Sequence, residues 1–294
     1  DGRYHWVQDH AAPRYDTDGA FVGFIGTSVD VDQQKNLNRI LENKVEERTA
    51  DLLEANEQLI KTNHELEQFA YVSSHDLQEP LRKIQTFSEM LAGSVNLNEK
   101  SATYLEKIKA SALRMSTLIK DLLNYSRLSK TDEKFVKTDL NEVLQNIKTD
   151  FEILIMQKNA SIINTGLPLI NAIPVQINQL FYNLVSNSLK FSETEPIIQI
   201  SSLMLEEEDQ KNVPGLRAGD KYVHLIFEDN GIGFSQTHAD QIFVIFQRLN
   251  DKQKYSGTGI GLALCKKIVE NHHGYISAKG ELDKGARFDI YLPV

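Results

Sequence analysis

The chain has 294 residues, 41% hydrophobic and 25% charged, an ordinary globular composition long enough for roughly two domains. Its formal net charge of -9 argues against a nucleic-acid binder that works by neutralising phosphates. One cysteine, Cys265, excludes an internal disulfide and suits a reducing compartment, and no apolar run of about 18 residues forms a membrane helix.

Residues 1–31 read as strands. "RYHWVQDHAAPRY" and "AFVGFIGTSVDV" are rich in aromatic and β-branched residues, with a turn signal at Asp16-Thr17-Asp18-Gly19 between them. Two strands alone are marginal in water, so this piece reads as the tail of a domain. The chain starts at Asp1 and shows no signal peptide, so it reads as an excised fragment. The expected location is cytoplasmic, with an upstream membrane anchor left open.

Residues 33–73 contain neither proline nor glycine. Leu41, Val45, Arg48, Leu52, Ala55, Leu59, Thr62, Leu66 and Phe69 follow alternating steps of four and three, the seam of a coiled coil. A single amphipathic helix would need a partner surface roughly 60 Å long at 1.5 Å per residue, which small domains rarely offer. The helical pattern runs to about Leu91 and breaks at Gly93-Ser94-Val95-Asn96. Asn98 then caps a second helix, Glu99 to about Leu128, with Tyr104, Ile108, Leu113, Leu118, Leu122 and Tyr125 expected in its buried stripe. Two antiparallel helices bury little, so the pair predicts a homodimer through residues 33–128, closed as a four-helix bundle.

"SKTDEK" (129–134) reads as a linker. Beyond it, Leu140–Met156 and Val175–Lys190 read as helices, while "ASIINT", "IIQISSLML", "KYVHLIFED", "YISAKG" and "ARFDIYLP" read as strands. Residues 206–220 read as an exposed hairpin loop. The fold class expected is α+β and multidomain: a long coiled coil, a helical bundle, then an α/β sandwich with helices on one face of a sheet.

Several segments carry chemistry. "EDNGIGF" (228–234) follows a strand, and "SGTGIGLAL" (256–264) opens a helix, where glycines let backbone amides approach an anion. Neither a P-loop nor the dinucleotide spacing is present. In "QLFYNLVSNSLKFS" (179–192), Asn183, Asn187 and Lys190 share one helix face. Alone this reads as a solvated face; it also suits Mg²⁺ and phosphate, because Mg²⁺ takes oxygen ligands and keeps water. His272-His273 has no zinc-like partner cluster and reads as a turn into a strand. In "SSHDLQEP" (73–80), His75 is expected to face away from the bundle core, Leu77 to anchor it, and Pro80 to bend the helix.

Taken together, these segments resemble the sensor histidine kinases. Asn183 to Phe191 resembles their N box, Asp229 to Gly233 the G1 box, Phe243 to Arg248 the F box, Gly257 to Leu262 the G2 box, and "FAYVSSHDLQEPLRKI" the H box. The resemblance covers residues 66–294, and residues 1–32 are similar to the last strands of a PAS sensor domain. It implies four parts: PAS-like strands over 1–31, a signalling helix over 32–65, a dimerisation and phosphotransfer hairpin over 66–130, and an ATP-binding domain over 135–294 of the gyrase and histidine-kinase type.

The roles implied follow the boxes. His75 takes the γ-phosphoryl of ATP, with Asp76 orienting the ring or accepting its proton. Asp229 receives the adenine amino group, and Gly231 and Gly233 leave room for the base. Asn187 ligates Mg²⁺, Asn183 lies close to the metal or phosphates, and Lys190 contacts phosphate. Gly257, Thr258, Gly259, Gly261 and Leu262 wrap the phosphates after a lid near 250–256. Phe246 and Arg248 complete the nucleotide set, with Arg248, Lys252 and Lys254 as candidate γ-phosphate partners. The phosphoryl group then passes to a response-regulator receiver domain. Glu79 stands where many relatives place the threonine or asparagine used in dephosphorylation, and Asp283 and Ala286 depart from the family's last box. A gyrase-type ATPase and a non-catalytic scaffold are the rival readings.

Overall fold

The computed structural model describes residues 5–94, 98–128, 134–211, 213–217, 219–249, 255 and 257–294, with the side chains of 63–73, 75 and 94 left undescribed. The chain divides into two units, Asp1–Leu66 and Glu67–Val294.

In the first unit, β1 (Val7–Tyr15) and β2 (Phe21–Asp30) form an antiparallel hairpin, with Val7 opposite Asp30 and a register shift at Arg14/Tyr15. The predicted turn forms because the Asp16 carboxylate accepts the amides of Asp18 (3.0 Å) and Ala20 (2.8 Å), while Gly19 supplies φ 81. Helix α1 (Asp32–Ser94) begins where the Asp32 carboxylate accepts the Trp6 amide at 2.7 Å and Lys35 lies over the Trp6 ring. Leu41, Val45, Leu52 and Leu59 of the predicted seam are all exposed in the single chain. The seam positions Leu66 and Phe69 fall outside the described side chains.

In the second unit, α1 continues through Pro80, and α2 (Glu99–Arg127) follows. The Asn98 side chain accepts the Ser101 amide at 2.8 Å, the expected cap. Leu77, expected as the core anchor, is 52% exposed, whereas Ser74, Leu81 and Ser88 are buried. The three-four rhythm is therefore Ser74, Leu77, Leu81, Ile84, Ser88, Leu91, and only alternate members are covered by this chain. The expected stripe on α2 shows the same pattern in the single chain. Tyr104, Ile108 and Leu113 are exposed, and Leu118, Leu122 and Tyr125 half-buried, because one hairpin can cover only one side of each helix.

The remaining elements form the α/β sandwich. They are β3 (Val136–Asp139), α3 (Leu140–Asp150), α4 (Glu152–Lys158), β4 (Ser161–Asn164), β5 (Leu169–Ala172), α5 (Pro174–Lys190), β6 (Ile197–Met204), α6 (Glu207–Gln210), β7 (Tyr222–Asp229), α7 (Gly261–Asn271), β8 (Tyr275–Glu281) and β9 (Gly285–Pro293). The main sheet has order β4-β6-β7-β9-β8; β4 and β6 are parallel and the other pairs antiparallel. Alternation along β6 buries Ile198 and Ile200, and α5 packs Ile177, Leu180, Phe181, Leu184 and Val185 into the same core. Phe181 meets Phe227 edge-on at 4.9 Å.

Three details differ from expectation. The helix predicted over Leu140–Met156 is two helices, broken at Phe151 (φ -100, ψ 9), whose ring is buried and packs on Tyr182 at 4.8 Å. The antiparallel pair β3-β5 was not anticipated. Residues 206–220 hold the helical turn α6.

His272 ends α7 as a buried cap. Its Nε2 accepts the Ile173 amide at 3.0 Å, so Nδ1 carries the proton and donates to the Ile268 carbonyl at 2.8 Å. Burial, aided by His273, lowers its pKa below the ordinary 6.5. The unfolded imidazole takes a proton that the folded one refuses, so this contribution is complete above 6.5 and is lost as pH falls. Thermal unfolding scans should show wild type losing stability between about pH 7 and about pH 5. His272→Gln should start lower, by about 1–3 kcal/mol, and lose less over the same interval.

Candidate functional site

A cavity of ≈ 370 Å³ lies beside α5, between the end of β7 and the start of α7. Asn183, Asn187 and Lys190 reach it together, as their i, i+4, i+7 spacing predicts, while Leu180, Leu184 and Val185 hold the opposite face of α5 in the core. Pro174 opens this helix where a missing amide is tolerated.

One end of the cavity is organised around Asp229. Its Oδ1 accepts the amides of Gly231 (2.9 Å) and Ala286 (3.2 Å), and its Oδ2 accepts the Ser188 hydroxyl at 2.9 Å. Three donors orient an ionised acceptor that still has lone-pair capacity facing the cavity. The contact at Ala286 is made by its amide, so alanine serves there as well as a hydroxyl residue would. Ser188 was missed by sequence reasoning: it lies between Asn187 and Lys190 but on the buried side of the helix. Close glycines keep this end compact. A Cβ on Gly285 would stand 1.8 Å from the Asp229 carbonyl oxygen, and one on Gly233 1.9 Å from that of Glu281.

The other end is cationic. Lys190 lies in the wall with its pKa lowered, first by burial and then by Arg248. A Cβ on Gly257 would stand 2.6 Å from Lys190 Nζ, so glycine there lets the ammonium reach the loop. Asn183 lines the same wall, and its Nδ2 is buried with no partner among the described residues. Thr258, Gly259, Gly261 and Leu262 also line the cavity.

Arg248 lines the cavity and donates to the carbonyls of Gly257 (2.7 Å) and Tyr255 (2.6 Å). Lys252 and Lys254, its fellow candidates, lie outside the described residues. Phe246 is absent from the cavity wall and 58% exposed; its backbone amide, at φ 65, donates to the Gly259 carbonyl at 3.0 Å. Asp121 of α2 was not anticipated: it lines the cavity and accepts the Thr258 hydroxyl at 2.6 Å. The side chain of His75 lies outside the described residues. Asp76 is exposed on α1, and Glu79 pairs with Lys83 at 2.9 Å.

Comparison with known proteins adds to this geometry. Residues 65–131 match the His Kinase A (phospho-acceptor) domain, and residues 172–294 match the histidine kinase-, DNA gyrase B-, and HSP90-like ATPase. The chain is 35% identical over 269 residues to cyanobacterial phytochrome A of Nostoc sp., a match covering 90% of this chain and 33% of that protein. It is 32% identical over 270 residues to phytochrome-like protein Cph1 of Synechocystis sp., covering 91% and 34%. It thus spans about a third of the length of these curated relatives. Full-length ShkA in complex with AMPPNP shares the fold, with TM-score 0.58 at 21% identity over 77% of this chain and 45% of that one.

The Asp229 clamp predicts a sharp substitution effect. Gly285 combines φ 115 with the 1.8 Å approach, so Gly285→Ala must displace the Asp229 backbone. Urea unfolding should show a loss of about 2 kcal/mol or more.

Proposed function

We propose that this chain, which belongs to the sensor histidine kinases, transfers the γ-phosphoryl group of ATP to His75 and then to an aspartate of a response regulator. The observation that supports this most is the two-ended cavity: a clamped acceptor carboxylate at Asp229 and a cationic, glycine-lined end at Lys190 and Gly257. Asp229 would accept the adenine amino group, and Ile232 and Phe234 of the wall would flank the base. Lys190, Asn183 and the amides of Gly257 to Gly261 would hold phosphate oxygens, the anion-binding use of a helix start. Asn187 fits Mg²⁺ through its carboxamide oxygen, and the ion would supply charge neutralisation on the phosphates.

At His75, neutral imidazole nitrogen would attack the γ-phosphorus in line, ADP would leave, and Asp76 would receive the ring proton. Glu79 offers no donor for an attacking water and is engaged with Lys83 at 2.9 Å, which disfavours the reverse dephosphorylation. A regulator-dephosphorylation assay of the intact protein tests that reading.

We further read the helical region as a homodimer joined through 33–128. The exposed row Leu77, Ile84, Leu91, with the exposed seam of Leu41 to Leu59, is what a second copy would cover. The parts proposed are PAS-like strands over 1–31, a signalling helix over 32–65, the hairpin over 66–130 and the ATP-binding domain over 135–294.

Incubation with γ-labelled Mg-ATP is the decisive test. Acid-labile, base-stable label on wild type and none on His75→Gln is expected. ATP turnover without label would support a gyrase-type ATPase, and neither would support a scaffold. Ser188→Ala should weaken ATP binding about tenfold by freeing one oxygen of Asp229. Ile84→Glu should shift the sedimentation coefficient from dimer towards monomer.

A further inference from the structure

Among the described residues of α2, Asp121 alone enters the cavity wall. Its carboxylate takes the Thr258 hydroxyl at 2.6 Å, one residue from the Gly257 that makes room for Lys190. It therefore stands at the cationic end, away from the amide-clamped Asp229. A second tie fixes the same helix: Asn271 Nδ2 donates to the Leu128 carbonyl at 2.7 Å, and Tyr125 and Leu128 pack against the domain core.

We propose that this docking is a latch released by nucleotide: Asp121 occupies the phosphate end of the cavity, so that docked α2 and a bound triphosphate oppose each other. The inference rests on the reading that the cavity takes ATP. With the latch closed, Asp121 supplies negative charge in the cavity wall that Lys190 and Arg248 also line, and an acceptor for Thr258. A triphosphate brings its own negative charge to the same place, in a partly buried setting where like charges repel strongly. The Thr258 proton can serve one acceptor at a time. Coupling of this kind is reciprocal: the factor by which docking weakens ATP is the factor by which ATP weakens docking. Loading with ATP would thus free the catalytic domain from α2 of its own chain. Adenosine, which carries no phosphate, would not.

The test compares the whole chain with Asp121→Asn, which keeps an acceptor for Thr258 and removes the charge. Equilibrium titrations use Mg-ATP and adenosine. Asp121→Asn should bind Mg-ATP about fivefold tighter or more, with adenosine affinity within about twofold of wild type. Hydrogen exchange at the backbone amides of Leu118–Leu128 should accelerate when wild type is saturated with Mg-ATP and stay slow with adenosine. Equal or weaker Mg-ATP binding by Asp121→Asn, or an equal gain for adenosine, would overturn the latch and leave the nucleotide reading standing. Failure of both proteins to bind either molecule would overturn that reading and the latch with it.

Discussion

The site depends on one carboxylate held by three donors. Asp229 ends the central strand β7, and its oxygens take a hydroxyl from α5, an amide from its own turn and an amide from β9. Each bond joins a different element to the same point. An acceptor so oriented has little freedom left, which is what recognition of a planar base edge requires. The closeness of β9 to the end of β7 leaves no space for a side chain at Gly285, so the clamp and the sheet register are one constraint.

At the cationic end the organisation is looser and more mixed. Arg248 donates to two carbonyls of the loop, and Lys190 Nζ lies beside Gly257. Burial lowers the Lys190 pKa, and the nearby Arg248 lowers it further. The helices leave apolar rows exposed: Leu41, Val45, Leu52 and Leu59 are uncovered, and between Ser74 and Leu91 one chain covers only alternate members.

Much of this was legible in the sequence, for local reasons. Asn183, Asn187 and Lys190 share a face because helix geometry alone puts them there. The Asn98 cap and the Asp16 turn are likewise short-range. The break at Phe151 was not legible, because the buried stacking on Tyr182 that interrupts the helix comes from another helix. The strands β3 and β5 pair with each other across α3, α4 and β4, a contact that no local pattern announces. Leu77, expected as the core anchor, is exposed in this chain, whereas the buried row runs through Ser74, Leu81 and Ser88.

By itself the sequence determined the order of elements, the family's boxes and the residue types that face one another along each helix, since these depend on periodicities of a few residues. Tertiary structure decided which of those residues act together. Ser188 reaches Asp229 across 41 positions and Thr258 reaches Asp121 across 137, contacts that exist only because helices close over a sheet and α2 returns against α7. It also left Phe246 off the cavity wall, while Arg248 lines the cavity and holds two loop carbonyls. Side-chain direction in a glycine-rich loop is set by backbone angles such as the φ of 65 at Phe246, and no spacing rule carries those.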